Sequence, residues 1–77
     1  MPRFRDLLRY VQRDGWEPYG SRRADHYRFR KVLSDGRLVK TMVSRLLGKE
    51  IPRDLWPKIR KQQLGLDSDE AFWAKVR

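Results

Sequence analysis

The chain has 77 residues, and 19 Lys and Arg against 10 Asp and Glu give a formal charge of +9 and a pI near 10.7. This length forms one domain, and a domain pI above about 9 is typical of nucleic-acid-binding proteins, although composition alone fits an ordinary basic protein equally well. With no cysteine and one histidine, disulfides and thiolate metal sites are excluded, and the thin core of so short a chain argues against a deep cofactor cavity.

The first predicted element is an amphipathic helix over residues 3–14. Its apolar side chains recur at i, i+3, i+4 and i+7, which places them on one helical face: Phe4, Leu7, Leu8 and Val11. Asp14 and Gly15 end the helix, because glycine readily takes the left-handed conformation that follows many helices. Residues 16–19 are predicted to form a short strand, and Pro18 indicates a sheet edge because proline donates no ladder hydrogen bond.

After a basic loop at residues 20–23, the chain alternates between two kinds of side chain over residues 25–32. Successive side chains of a strand point to opposite faces. Tyr27 and Phe29 therefore share one face, and the other face carries a polar column of His26, Arg28 and Arg30.

A return strand is predicted over residues 37–43. Ser34-Asp35-Gly36 has the composition of a tight hairpin turn. On the return strand, one face carries Val39, Thr41 and Val43. The hairpin therefore offers one apolar face for packing.

Two helices are predicted after a connector at residues 44–51. Asp54 is expected to cap the first of them, which begins Leu55-Trp56-Pro57, and Gly65 to end it. Its packed stripe is expected to contain Trp56, Ile59, and Gln63 or Leu64. Asp67 or Ser68 can cap a last short helix that carries Phe72, Trp73 and Val76. Trp16, Trp56 and Phe29 are expected in the core, whereas Trp73 either packs on the domain or docks a partner.

Together these elements predict an α+β domain of order α-β-β-β-α with a short C-terminal helix. The alternation predicts a three-stranded antiparallel sheet covered by helices on one face. The other face is expected to stay open and to carry the polar column. No apolar run approaches the roughly 18 residues of a membrane span, and no signal peptide is recognised, so no membrane association and a cytoplasmic location are expected.

Several short motifs of this chain resemble those of HicA-like toxins in order and spacing. They are Gly15-Trp16-Glu17, His26-Tyr27-Arg28-Phe29-Arg30, Asp35-Gly36-Arg37, Lys49-Glu50-Ile51-Pro52 and Ile59-Arg60-Lys61-Gln62. The family pattern is a G-W turn, G-S-H-x-x-F-R, a D-G-R hairpin, K-E-[IL]-P, and a helix that ends near K-Q-x-G-L. The match covers residues 4–66, so residues 1–66 are interpreted as a HicA-like domain and residues 67–77 as a helical extension of the same domain.

The resemblance implies a fold like that of double-stranded-RNA-binding domains and a function as an mRNA interferase in a type II toxin–antitoxin pair. The implied partners are mRNA and a neutralising HicB-like antitoxin, and no cofactor or metal is implied. The family's catalytic histidine, on the second strand, matches His26. Ala24 and Asp25 stand where the family usually has glycine and serine, and Tyr27 replaces a frequent second histidine.

RNA can be cleaved without a metal when a base removes the proton of a 2′-hydroxyl, which then attacks the adjacent phosphate. Imidazole suits this role because its unperturbed pKa is about 6.5, and one positioned base contributes roughly 10²–10⁴-fold. Arg28 and Arg30 are expected to neutralise the charge that grows on the phosphate. The other predicted RNA-binding residues are Arg22, Arg23 and Lys40.

Two further interpretations remain open at the level of the sequence. A non-catalytic module would bind RNA through phosphate and 2′-hydroxyl contacts on the same basic face. An interaction subunit would use that face to bind an acidic protein. Without the resemblance, His26 is most simply a surface residue and the arginine column a solvated sheet face.

Overall fold

The first helix forms where the apolar periodicity predicts it. In the structure, a computed structural model that describes residues 1–21, 23 and 25–77, α1 spans Phe4–Arg13. At its start the Asp6 carboxylate accepts the backbone N–H of Arg3 at 2.8 Å. At its end the backbone N–H of Asp14 donates to the carbonyl of Tyr10, and Gly15 has a φ of 76°. The predicted glycine stop is therefore confirmed.

The three predicted strands form one antiparallel sheet in the order β1-β2-β3. They are β1 Glu17–Tyr19, β2 His26–Val32 and β3 Leu38–Ser44. Pro18 lies in an edge strand, as predicted. The turn between β2 and β3 is closed by the backbone N–H of Leu33, which donates to the carbonyl of Arg37 at 2.8 Å. The β2–β3 register runs from His26 opposite Ser44 to Val32 opposite Leu38.

The helical region after the sheet differs in detail from the prediction. One α-helical turn, α2, spans Trp56–Lys58 and continues as a π-helical segment over Ile59–Gln63. The predicted Asp54 cap is wrong. Leu55 occupies the N-cap without a side-chain hydrogen bond, because the backbone N–H groups of Leu55 and Trp56 are already bonded to the carbonyl of Pro52.

The last helix, α3, spans Asp69–Val76 and begins at Ser68. The Ser68 hydroxyl accepts the backbone N–H of Ala71 at 3.3 Å, so Ser68 rather than Asp67 is the cap. At the other end, the Arg13 guanidinium donates to the carbonyls of Lys75, Val76 and Arg77. These bonds join the last helix to the end of α1.

The core lies between the helices and one face of the sheet. Its buried side chains come from every layer and include Leu7, Val11, Trp16, Phe29, Val43, Ile51, Trp56, Ile59 and Phe72. Trp73 packs edge-on against Phe72 with ring centroids 5.3 Å apart, so it packs on the domain. The predicted α+β fold with helices on one face of the sheet is therefore confirmed. No helix within residues 1–21 and 25–77 has the length and apolar character needed to cross a bilayer.

Candidate nucleic-acid interface

The strand register sets the arrangement of side chains on the uncovered face of the sheet, the open face. Glu17, Arg30 and Lys40 form one row across the three strands. A second row contains Tyr19, Arg28 and Met42, and a third pairs His26 with Ser44. The predicted column of His26, Arg28 and Arg30 thus runs along β2 on this face, and Lys40 lies beside it on β3.

His26 is exposed at the start of β2, and its ring orientation is set by the backbone. Its Nδ1 lies 2.8 Å from the carbonyl oxygen of Asp25. Since a carbonyl oxygen accepts only, Nδ1–H is the donor, and in the neutral ring Nε2 therefore has the lone pair that a general base requires. The bond uses the backbone carbonyl of Asp25 and therefore does not depend on the side chain at this position.

The cations of the open face have different surroundings. Arg28 is exposed. The Arg30 guanidinium lies 3.3 Å from the Glu17 carboxylate and 5.4 Å from the centroid of the Tyr19 ring. The Lys40 ammonium lies 5.7 Å from the same ring. Because exposed ion pairs contribute only about 0–1 kcal/mol, the Glu17 contact leaves Arg30 able to exchange its partner for a phosphate.

The basic loop between β1 and β2 is only partly described. Arg23 is exposed, and its backbone N–H donates to the hydroxyl of Ser21 at 3.1 Å. Arg22, a predicted RNA-binding residue, and Ala24 lie outside the described residues. The loop therefore places one of its two predicted cations close to the N-terminal end of β2.

Two open grooves meet at His26. The β3 groove has a volume of about 530 Å³, and its lining includes Tyr19, His26, Met42, Leu55, Ile59 and Gln63. The β1 groove has a volume of about 460 Å³, and its lining includes Pro18, Tyr19, Gly20, Ser21, His26 and Arg28. His26 and Tyr19 line both. A ligand bound at the imidazole can therefore extend into both grooves.

Sequence reasoning missed the residues that give these grooves their chemistry. Tyr19 lies on the open face because it alternates with Pro18. A strand of three residues is too short for such an alternation to be recognised in the sequence. Gln63 reaches the β3 groove through a hydrogen bond to Thr41 at 2.6 Å, across 22 residues of chain. No pattern within one element predicts that contact.

On the covered side of the sheet, Asp14 is bonded to several elements. Its carboxylate accepts from Lys31 Nζ at 2.9 Å and from Trp16 Nε1 at 3.0 Å, and it pairs with Lys75 at 3.3 Å. Burial acts to raise the pKa of Asp14, but these donors outweigh burial and lower it below the ordinary value. Burial, with the nearby charge of Asp14, raises the pKa of Tyr10 to about 12. The negative charge of Asp14 is therefore balanced by its partners on the covered side of the sheet.

The comparisons with known proteins assign no role to this site. No protein-family model, curated protein or solved structure matches this chain. Within the described part of the chain, no group of three or more His, Cys, Asp or Glu side chains is placed to hold a metal ion. The features that remain to be explained are an exposed imidazole, its neighbouring cations and the two grooves that meet there.

Proposed function

We propose that this domain is an endoribonuclease that cleaves mRNA without a metal, acting as a HicA-like toxin of a type II toxin–antitoxin pair. The observation that carries the proposal is the state of His26. Its Nδ1–H is held by a backbone carbonyl at 2.8 Å, which leaves Nε2 free on an exposed face beside Arg28. The chemistry needs only a base at a 2′-hydroxyl and positive charge at a phosphate.

In the proposed reaction, His26 Nε2 takes the proton of a ribose 2′-hydroxyl. The 2′-oxygen attacks the adjacent phosphorus, and the bond from phosphorus to the 5′-oxygen breaks. The products are a 2′,3′-cyclic phosphate and a 5′-hydroxyl, whose proton comes from solvent. Arg28 stabilises the charge on the phosphate oxygens, and Arg30 and Lys40 bind neighbouring phosphates.

The test is cleavage of an end-labelled transcript by the wild type and by His26→Ala, each with and without EDTA. We expect His26→Ala to slow cleavage about 10²–10⁴-fold, the contribution of one general base. EDTA should have no effect, and a 2′-deoxy nucleotide at the cut site should block cleavage there. Leu38→Ala, at a half-exposed position on β3 that lines neither groove, is the matched control and should cleave normally. The mechanism would be refuted if His26→Ala cleaved as fast as the wild type, or if EDTA stopped cleavage by the wild type.

The toxin–antitoxin role includes a protein partner, a HicB-like antitoxin, and a cytoplasmic site of action. Co-expression with any small acidic protein that is encoded beside the gene should yield a complex and relieve growth arrest. The absence of any complex with such a neighbour would count against this role while leaving the nuclease untouched.

The second candidate is a non-catalytic RNA-binding module. Arg28 and Lys40 favour it, since exposed cations on a flat sheet bind phosphate whether or not His26 reacts. It predicts RNA binding whose logarithm falls linearly with the logarithm of salt concentration. Salt-dependent binding with no cleavage product from the wild type would establish this alternative.

A further inference from the structure

The β3 groove combines exposed apolar side chains with a strongly basic domain. Met42 is 51% exposed and Leu55 is 37% exposed, although both line this groove. Phe4 and Ile59 also line it and are almost fully buried. Apolar surface next to an imidazole and to lysines does not serve phosphate binding, which needs donors and positive charge. Such a surface suits a planar group whose two faces are apolar.

On the polar side of the same groove, a hydrogen bond orients the Gln63 side chain. The hydroxyl of Thr41, a residue only 2% exposed, donates to Gln63 Oε1 at 2.6 Å. The Gln63 oxygen is engaged by a buried partner, and its amide N–H groups are the donors that Gln63 can present to the groove. Lys40 and Lys49 also line the groove and favour an anionic strand.

The groove is also placed correctly for an RNA strand that runs past His26. Its lining shares His26 and Tyr19 with the β1 groove, which is lined by Gly20, Ser21 and Arg28. A phosphodiester at the imidazole has one nucleotide on each side, so each groove can take one neighbour. The apolar β3 groove suits a base, and the more polar β1 groove suits the sugar–phosphate chain.

We propose that the β3 groove binds one unpaired nucleobase next to the phosphodiester at His26, so that the substrate is single-stranded RNA. Met42, Leu55 and Tyr19 contact the base, and the Gln63 amide donates to a ring carbonyl. Uracil, cytosine and guanine have such a carbonyl. Adenine has only ring nitrogens as acceptors, which lie farther back from a donor placed to reach an exocyclic oxygen, so adenine is expected to bind more weakly. The position of the phosphodiester rests on the proposed function; the base site itself does not.

The test measures binding of fluorescent octamers to the His26→Ala protein, which avoids cleavage. The probes are oligo(U), oligo(A) and an abasic oligomer of the same length. Loss of one stacked base contact is worth about 1–3 kcal/mol, so oligo(U) should bind at least about fivefold more tightly than the abasic oligomer. Oligo(A) should fall between them.

Two substitutions assign that preference to the groove. Met42→Ser should weaken oligo(U) binding several-fold and leave the abasic oligomer unchanged. Leu38→Ser is the matched control, because Leu38 lies on the same face, is 50% exposed and is not among the residues that line the groove. Gln63→Glu keeps an acceptor for Thr41 but replaces the donor nitrogen, so it should abolish the preference for oligo(U) over oligo(A).

The base site is refuted if the abasic oligomer binds as tightly as oligo(U), if Met42→Ser and Leu38→Ser act alike, or if no octamer binds. Wild-type cleavage of a transcript is scored separately. Cleavage with base-independent binding would overturn the base site alone. Base-dependent binding without cleavage would overturn the nuclease alone.

Discussion

Replacing Phe72 by alanine should remove a large part of the stability of this domain. Phe72 lies in α3 and is fully buried. Its ring stacks on Tyr10 of α1 at 5.2 Å and meets Trp56 of α2 edge-on at 4.7 Å. The resemblance to HicA-like toxins ends near residue 66, so the sequence leaves the role of this tail open, whereas the structure places its central side chain in the core.

The expected cost follows from these contacts. A buried Phe→Ala change costs about 3–5 kcal/mol, and the two ring partners place Phe72 toward the upper end. At about 0.05–0.15 kcal/mol per residue, 77 residues have a total stability of roughly 4–12 kcal/mol. Phe72→Ala should therefore remove a third or more of the free energy of unfolding. At about 4–8 °C per kcal/mol, Tm should fall by at least 15 °C.

The assay is urea unfolding followed by tryptophan fluorescence, since Trp16 and Trp56 are buried in the core and Trp73 packs against it. Leu38→Ala, at a half-exposed position on the sheet, is the control and should change stability by less than about 0.5 kcal/mol. If Phe72→Ala cost less than about 1 kcal/mol, α3 would not be part of the core and the placement of its aromatic cluster would be wrong.

Two further predictions concern Asp14 and Arg28. The folded-state pKa of Asp14 is lowered, so its charge contributes stability above pH about 4, lost as pH falls through the folded-state pKa. Asp14→Asn should therefore cost about 1–3 kcal/mol at pH 7, with a smaller difference from the wild type at pH 3 in urea titrations; a difference independent of pH would contradict this. Arg28→Ala should reduce the slope of log affinity against log salt for RNA by about 1, while Arg28→Lys keeps it. Lys58→Ala, an exposed change on α2, should leave that slope unchanged, and an equal effect of both alanine changes would remove Arg28 from the interface.

The regular elements could be predicted because their periodicity is local. Phe4, Leu7 and Val11 are all buried on one face of α1. The two-residue alternation of β2 places His26 and Arg28 on the open face, since a strand has no other way to bury Phe29. The predicted face of the candidate site therefore follows from the same pattern that predicts the hairpin.

The segment after residue 55 shows where local patterns fail. Ile59 and Leu64 are both buried, yet five residues of α-helix, at about 100° each, would turn them roughly 140° apart. The π-helical segment brings them to the same side, with the backbone N–H of Leu64 donating to the carbonyl of Ile59 at 2.9 Å. Gln63 then faces Thr41. Tertiary packing selects this wider turn, so the sequence left Gln63 and Leu64 as alternatives and did not indicate the β3 groove.

The residues that stabilise the fold and the residues of the candidate site lie on opposite faces of the sheet. On the covered face, buried aromatic rings and the bonds of Asp14 hold the helices to the strands. On the open face, His26, Arg28 and Met42 are exposed, and exposed side chains contribute little to folding. Glu17 is the one carboxylate among the residues of the three strands, against Arg28, Arg30, Lys31 and Lys40. Substitutions at His26, Arg28 and Met42 should therefore change RNA binding or cleavage in a protein that remains folded, and each should affect one step: proton removal, phosphate contact or base contact.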